Sequence, residues 1–249
     1  MTNILWRNIK WRFQNKVSIL VTILQPMLWL VLYSTVASQT MQGLGSWNYT
    51  AYILPGIMVL VTFSACSSGG ILNFIMKSNG SFYRILITPV SRSSIVIGQL
   101  LEAVLVSFFE VAVLVLVSFL LGVRFACGIG GIGLMLILLF LGAFFYSCIA
   151  YTISLHLPNE VIYETVMNAV VLPLFFLSSA LFPMESLTGG LAVVVCLNPY
   201  THIIDILRSL TLDGTAPMTY LLPVTILFLA LCMAGYFLAR KSLLKQTLH

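Results

Sequence analysis

Long apolar stretches separated by short polar segments make up most of the chain. Six of these stretches approach the roughly 20 apolar residues, each rising about 1.5 Å, that a helix needs to cross a bilayer. They cover residues 17–37, 52–75, 95–121, 129–155, 165–181 and 221–238. The last two are the shortest. The pattern predicts an all-α membrane protein with six transmembrane helices, built as a single domain over residues 1–249.

The polar segment at 77–94, between the second and third spans, holds three cations and no acid. These cations are Lys77, Arg84 and Arg92. Residues 82–87 are long enough for one or two helical turns before Thr88 and Pro89, because a proline pushes the residue before it out of the α region. The candidate caps for the next helix are Ser91, Ser93 and Ser94. The segment therefore predicts a short amphipathic helix that a partner outside the membrane can bind.

The first 16 residues predict an amphipathic helix lying in the membrane surface. Its apolar stripe carries Leu5, Trp6, Ile9 and Phe13. Its cations, which favour anionic headgroups, are Arg7, Lys10, Arg12 and Lys16. An ordinary basic flank to the first span would explain the charges but not the stripe. The segment lacks the pattern of a cleaved signal peptide, so we expect the first span to stay in the protein.

Composition excludes several classes of protein. Hydrophobic residues make up 60% of the chain and charged residues 8%, whereas a soluble domain carries about 25% charged residues. The net charge of +5 does not indicate a nucleic-acid partner, because the cations flank apolar segments instead of following one face. The lipid bilayer is the partner that this composition implies.

The cations also predict an orientation. With an even number of spans both termini lie on one side, and ten of the twelve Lys and Arg residues fall on that side. Arg124 and Arg208 fall on the other. By the positive-inside rule the richer side is the cytoplasm. We therefore expect a multi-pass protein of the cell's inner (cytoplasmic) membrane, with both termini and the 77–94 segment in the cytoplasm.

Residues 182–220 form a segment that is too apolar for a solvated loop and too broken for a span. Two short, re-entrant half-helices dipping into the outer leaflet between the fifth and sixth spans fit both properties. Asn198 is placed to cap the second half-helix and Pro199 to open it. Asp205 and Arg208, three residues apart, can pair across one turn. The alternative, one extra and poorly formed span, would put the basic C-terminal end outside, against the charge rule.

Two acids, Glu102 and Glu110, lie inside the third span. They are about 12 Å apart along the helix axis and roughly 80° apart around it. A charge at this depth is costly, so we expect Glu110 to face protein or water instead of lipid. One interpretation is a polar contact on a translocation or coupling path, and the other is a protonated or hydrogen-bonded packing residue. Glu160 and Glu164 are interpreted as the solvated face of a short cytoplasmic turn.

No motif in the sequence supports catalysis. The pattern G-x-x-x-x-G-K-[ST], which cradles phosphates, does not occur. Residues 128–133 spell G-x-G-x-x-G, but they begin a membrane span, and close helix packing is the better interpretation. A serine protease would need a serine of the 64–68 run beside a histidine, and His156 and His202 are expected at opposite faces. The cysteines show no zinc spacing, so we predict no catalytic residue and no metal.

Four blocks in a fixed order carry a resemblance to a known family. They are 52–58, Tyr-Ile-Leu-Pro-Gly-Ile-Met; 82–92, Phe-Tyr-Arg-Ile-Leu-Ile-Thr-Pro-Val-Ser-Arg; 172–183, Leu-Pro-Leu-Phe-Phe-Leu-Ser-Ser-Ala-Leu-Phe-Pro; and 198–208, which leads from Asn-Pro to Asp205 and Arg208. With the basic amphipathic start, they resemble the ABC-2 type permeases, and most closely the daunorubicin-resistance branch of drug exporters. The chain departs from the family's pattern at 77–79, where an acid is common, and at Thr188, where a proline is common.

The resemblance implies a permease subunit with no nucleotide site and no cofactor of its own. It implies a second permease copy, as a homodimer or a heterodimer, and two copies of an ABC ATP-binding subunit that hold ATP and Mg. It also implies that residues 82–88 are a coupling helix seated in a groove of the ATPase, with the N-terminal surface helix beside it. The residues expected at that contact are Phe82, Tyr83, Arg84, Leu86, Thr88 and Pro89.

Two functions compete on the sequence. One is the permease of an ATP-driven exporter that moves a hydrophobic or amphipathic compound (a drug, an antibiotic or a lipid-like molecule) out of the cytoplasm or inner leaflet by alternating access. Export of a lipid-linked glycan is an alternative within the family. The other function is a gradient-driven secondary transporter or channel that works through Glu102 and Glu110 without an ATPase. Against it, the two halves show no matching broken helices of an internal repeat.

Overall fold

The computed structural model describes residues 49–87, 90–181 and 188–246, together with residues 6, 10, 24, 27–32, 35 and 184. Helices dominate these ranges, and no strand occurs within them. The helices whose ends are both described are α1 (Tyr49–Ser78), α2 (Ser81–Leu86), α3 (Arg92–Leu120), α4 (Ile129–His156), α5 (Glu160–Phe176), α6 (Gly190–Leu197), α7 (Pro199–Leu212) and α8 (Met218–Gln246).

Four of these helices, α1, α3, α4 and α8, are long and apolar enough to cross a membrane. The pair α6 and α7 adds a fifth span only if the two helices, bent by 81°, are taken as one. α5 has 17 residues and is therefore about 25 Å long. The first predicted span lies mostly outside the described residues, although Leu30 is buried in the main core. The described residues confirm an all-α protein and contain four or five candidate membrane spans, and the six-span layout stays a prediction.

The boundaries predicted for the fifth span, 165–181, are wrong. α5 begins at Glu160 because the side-chain oxygen of Asn159 accepts a hydrogen bond from the backbone N–H of Ile162 at 2.9 Å, which caps the helix. It ends at Phe176, and residues 177–180 form a turn that an apolar composition does not reveal. Glu160 and Glu164 consequently lie in the first two turns of a helix and not on a loop.

The cap predicted for the third span is confirmed. The side-chain oxygen of Ser91 accepts a hydrogen bond from the backbone N–H of Ser94 at 3.2 Å. α3 then runs for 29 residues without a proline.

The long helices define two ends of a bundle, which we call the Ser78 end and the Tyr49 end after the two ends of α1. α4 runs parallel to α1, since hydrogen-bonded pairs advance together along both helices. These pairs are Ser67 with Tyr146 at 3.1 Å and Asn73 with Ser154 at 2.8 Å. α3 runs antiparallel to α1 after the hairpin that contains α2. The side chain of Gln246 donates to the carbonyl of Leu155, so α8 finishes at the Ser78 end.

An aromatic cluster from four helices fills the middle of the bundle. The ring of Phe63 lies 4.6 Å from Tyr146 and 4.6 Å from Tyr200, and Tyr200 lies 5.4 Å from Phe228. The hydroxyl of Tyr200 donates to the carbonyl of Gly142 at 3.0 Å. Gly142 is about 20 Å along α4 from its start. The elbow between α6 and α7 therefore reaches the depth of the bundle centre.

α7 returns from that elbow to the Tyr49 end. There the backbone N–H of Ala126, in the turn after α3, donates to the carbonyl of Thr211 at 3.0 Å. The chain that follows α5 also reaches this side, because the hydroxyl of Tyr49 donates to the carbonyl of Leu181 at 3.4 Å. The bent pair thus enters and leaves at one end of the bundle, which favours re-entrant half-helices over an extra span.

Close packing occurs at glycines of α1 and not at the three glycines, Gly128, Gly130 and Gly133, that the sequence suggested. A Cβ atom built on Gly69 would lie 2.9 Å from the Cβ of Ala103, and one on Gly56 would lie 2.7 Å from the Cβ of Ala180. Cβ atoms on Gly128, Gly130 and Gly133 would meet nothing within 4 Å. The packing interpretation of the G-x-G-x-x-G pattern is therefore wrong for these three glycines within the described part of the chain.

Candidate functional site

α2 is the short helix predicted between the second and third spans. The chain enters it through Gly80, whose φ of 68° lies in the left-handed region that glycine adopts at little cost. At the other end the guanidinium of Arg92 donates to the carbonyl of Leu86 at 2.8 Å, and its charge also complements the helix dipole. Thr88 and Pro89, which were predicted to contact an ATPase, lie outside the described residues.

The two faces of α2 have different surroundings. Phe82 and Ile85 are buried and belong to an apolar cluster formed by the Ser78 ends of α1, α3, α4 and α8. Arg84 is exposed, and Tyr83 exposes 64% of its surface. Leu86 is half-buried. Of the predicted contact residues, Phe82 anchors α2 to the bundle, while Tyr83 and Arg84 face outward.

A cavity of about 340 Å³ opens at the same end of the bundle. It is lined by the last residues of α1 and by the turn between α4 and α5: Phe74, Ile75, Lys77, Ser78, Leu157, Pro158, Asn159 and Glu160. The ammonium group of Lys77 lies 5.7 Å from the ring of Phe74 and 5.6 Å from the ring of Phe82. The lysine therefore lies between this cavity and the buried face of α2. Sequence reasoning missed the cavity, because the turn comes from a part of the chain that is distant in sequence.

Of the residues predicted on the N-terminal surface helix, Trp6 and Lys10 are helical and exposed. Arg7 and Phe13 lie outside the described residues. The amphipathic helix over 1–16 therefore stays a prediction.

Both acids of α3 are buried inside the protein. Glu102 is 1% exposed and Glu110 is 5% exposed, so Glu110 faces protein instead of lipid, as expected. A Cβ atom built on Gly69 would lie 3.9 Å from a carboxyl oxygen of Glu102, which places this carboxyl against α1. The role of the two acids on a translocation path stays a prediction.

Asn198 holds the bent pair to the end of α5. Its side-chain oxygen accepts a hydrogen bond from the backbone N–H of Tyr200 at 3.0 Å, and Pro199 is the first residue of α7, as predicted. Its amide nitrogen donates to the carbonyls of Leu174 and Leu177, both at 2.8 Å. One side chain thus satisfies orphan groups at two helix ends.

The predicted pair of Asp205 and Arg208 is confirmed, with 3.0 Å between the guanidinium and the carboxylate. Arg208 also donates to the carbonyls of Tyr52, Ser179 and Ala180. Its guanidinium carbon lies 3.9 Å from the centre of the Tyr52 ring. The guanidinium therefore joins α7, the start of α1 and the turn after α5 at the Tyr49 end.

α5 carries a polar face that the sequence analysis missed. Glu160, Glu164 and Asn168 follow each other at i, i+4 and i+8 and are exposed, as is Thr165. Residues four apart share one side of a helix, and polar groups inside a membrane face protein or water. Had Asn159 been recognised as a cap, the spacing of these residues would have revealed the face.

The serines and histidines of the protease alternative lie apart and have other partners. Ser67 shares a hydrogen bond with the hydroxyl of Tyr146 at 3.1 Å. His156 bonds the carbonyl of Thr152 at 2.8 Å near the Ser78 end. His202 of α7 bonds the carbonyl of Cys196, in α6, at 3.0 Å. His156 therefore lies near the Ser78 end, whereas His202 lies beside the α6–α7 elbow, so the two histidines are at different depths of the bundle.

Comparison with known proteins identifies the family. The family description "ABC-2 type transporter" matches residues 1–212. The chain belongs to the ABC-2 type transporter family. ABC-2 members of this kind are transmembrane components of transporters and normally work with an ABC ATPase subunit.

Curated relatives of this ABC-2 chain include transport and drug-resistance permeases. The "Putative transport permease ycf38" of Cyanophora paradoxa is 27% identical over 197 residues, which cover 78% of this chain and 68% of the relative. The daunorubicin resistance ABC transporter permease protein DrrB1 of Streptomyces coeruleorubidus is 27% identical over 214 residues, covering 85% and 74%. The "Probable multidrug ABC transporter permease YbhS" of Escherichia coli K12 is 26% identical over 189 residues, covering 72% and 47%. The resemblance to ABC-2 drug-export permeases is confirmed.

Proposed function

We propose that this chain is the permease subunit of an ATP-driven exporter, which carries a hydrophobic or amphipathic compound out of the cytoplasm or the inner leaflet. Two copies of an ABC ATP-binding subunit, holding ATP and Mg, supply the energy, and a second permease copy completes the pathway. The proposal rests on the position of α2 in a chain that belongs to the ABC-2 family. One face of this helix packs against the bundle, and the other face exposes Tyr83 and Arg84 to a partner.

The contacts of α2 suit it to transmit force. Phe82 and Ile85 pack in one cluster with residues of α1, α3, α4 and α8, and packed interiors deform little. The bond from Arg92 to the carbonyl of Leu86 ties the far end of α2 to the first turn of α3. A displacement of the exposed face therefore moves the long helices together, which is the motion that alternating access needs.

The charges support placing α2 in the cytoplasm. Lys77, Arg84 and Arg92 lie around α2, and α8 brings further cations to the same end. These are Arg240, Lys241 and Lys245. By the positive-inside rule the Ser78 end is cytoplasmic. ATP is present in the cytoplasm, so an ATPase that binds at the Ser78 end has access to its substrate.

The polar face of α5 supports a pathway that includes a second copy. Exposed carboxyl and amide groups on a membrane helix are costly against lipid, whereas a second permease or a water-filled path would accommodate them. Leu172 and Phe176 continue the exposed side of α5 toward the Tyr49 end. A path with polar groups at one end and apolar groups at the other suits an amphipathic compound.

Reconstitution tests the proposal. The permease is purified with and without its ATP-binding subunit, placed in proteoliposomes and assayed for export of fluorescent amphipathic drugs. We expect transport only with both proteins and hydrolysable ATP, and none with a Walker-lysine variant of the ATPase as the control. Transport by the permease alone, driven by an ion gradient, would establish the secondary-transporter alternative instead.

A further inference from the structure

A layer of polar side chains crosses the interior of the bundle where α1, α3 and α4 meet. Asn73 of α1 is 1% exposed, Gln99 of α3 is 7% exposed, and Ser154 of α4 is 0% exposed. The amide nitrogen of Asn73 donates to the hydroxyl oxygen of Ser154 at 2.8 Å. The hydroxyl of Ser154 donates in turn to the carbonyl of Tyr151 at 2.7 Å.

The helix geometry brings Gln99 to the same layer. α1 and α3 are antiparallel and come close together at Gly69 and Ala103, where a Cβ atom on the glycine would lie 2.9 Å from that of the alanine. One turn toward the Ser78 end, the same face of α1 carries Asn73. One turn in that direction on α3, the same face carries Gln99. This spacing puts the two amides at one level of the bundle.

Several polar atoms in this layer have no hydrogen-bond partner among the described residues. They are the oxygen of the Asn73 amide and both the oxygen and the nitrogen of the Gln99 amide. Burying a polar group without a hydrogen bond costs about 1–3 kcal/mol. A ligand that satisfies these atoms must accept from the Gln99 nitrogen and donate to two oxygens. A metal cation would serve only the oxygens, whereas water donates and accepts.

We propose that Asn73, Gln99 and Ser154 form a binding site for ordered water inside the bundle. Buried water typically makes about three hydrogen bonds to groups that would otherwise lack them, and this layer offers that number. The site lies one turn from Lys77, at the base of the hairpin that holds α2. If α2 transmits force, which rests on the proposed function, water allows α1 and α3 to exchange hydrogen-bond partners as they shift.

Water-edited solid-state NMR tests the proposal on the full chain in lipid bilayers, with the side-chain amides of Asn and Gln labelled with ¹⁵N. The Gln99 signal is identified by its loss in Gln99→Met, or in Gln99→Asn if the first variant fails to fold. Asn198 is the matched dry control, because it is buried and its amide nitrogen donates to two carbonyls. Gln246 in the last turn of α8 is exposed and is the wet control.

We expect magnetisation to pass from water to the Gln99 amide several-fold faster than to Asn198. Transfer as slow as that of Asn198 would overturn the proposal, because the amides would then pair directly or stay dry.

Thermal unfolding gives a second readout. Gln99→Met lowers the melting temperature if water satisfies the amide, whereas a rise would show a dry, unsatisfied amide and also overturn the proposal. Neither measurement needs an ATPase, so failure here leaves the proposed function standing.

Discussion

Arg208 shows how much of the fold can depend on one buried side chain. Its spacing from Asp205 predicted the ion pair, because residues three apart meet on a helix. The bonds to Tyr52, Ser179 and Ala180 could not be predicted, because these residues come from α1 and from the turn after α5. Long-range partners of this kind depend on tertiary packing, which local spacing does not encode. The guanidinium thus fixes the relative position of three segments at the Tyr49 end.

Replacing Arg208 by Ala should lower the free energy of unfolding by about 2–4 kcal/mol, because it leaves buried carbonyl groups without a donor. The carboxylate of Asp205 adds little to this loss, since its side chain is 39% exposed and solvent screens it. Thermal unfolding of the purified protein in detergent measures the effect. Arg124→Ala, at an exposed arginine on the same end, is the control. Equal melting temperatures for the two variants would contradict this account of Arg208.

Glu110 is a residue whose position the sequence predicted and whose role needs a functional test. We expect Glu110→Gln to change transport while the amount of protein in the membrane stays the same, because the substitution keeps the shape and removes the ionisable carboxyl group. The measurement compares ATP-dependent drug export with the protein level in membrane vesicles. Unchanged export would assign Glu110 to packing alone.

Among the helices, α2 was predicted well because its signals are local. A polar segment between apolar spans and a proline after it predicted a helix at 82–87, within one residue of the observed bounds, Ser81–Leu86. α5 was predicted less well, because apolar composition alone was used and the cap at Asn159 was not recognised. Which side of each helix is buried could not be predicted, because burial depends on the neighbours that cover it.

Adjacent residues of α2 should separate stability from partner binding. Phe82→Ala removes a ring that is 2% exposed and should cost about 3–5 kcal/mol of folding free energy. Tyr83→Ala changes an exposed ring and should alter stability by no more than about 0.5 kcal/mol, yet weaken binding of the ATP-binding subunit. Thermal unfolding and co-purification measure the two effects. If Tyr83→Ala retains the ATPase fully, the exposed face of α2 is not the contact.

The glycines of α1 and α4 make a second matched pair. Gly70→Ala should destabilise by about 1–3 kcal/mol through overpacking, because the new Cβ would overlap the hydroxyl of Tyr163, which donates to the carbonyl of Ser67 at 2.8 Å. Gly133→Ala should stabilise α4 by about 0.5–1 kcal/mol, because its Cβ would meet nothing within 4 Å. Melting temperatures that move in the same direction would contradict the packing described for α1.

At the scale of the whole molecule, composition and hydropathy sufficed for the class of protein but not for the layout. The apolar runs predicted most of the long helices, since a membrane admits few other structures. The depth of the α6–α7 elbow depends on the bond from Tyr200 to Gly142, whose partners lie on separate helices. One end of the bundle contains α2, the cavity beside Lys77 and the cations of α8. The segments that form this end are far apart in the sequence, so hydropathy alone does not bring them together.

Site-specific photo-crosslinking tests the central claim, which is that an ATPase binds the exposed face of α2. A photoreactive amino acid replaces Tyr83, or Tyr220 as the control, since both are 64% exposed and Tyr220 lies at the start of α8, near the opposite end of the bundle. In membranes that contain the ATP-binding subunit, the account predicts a crosslink from position 83 to a protein that carries G-x-x-x-x-G-K-[ST], and none from position 220. A crosslink from position 220 alone, or from neither position, would contradict it.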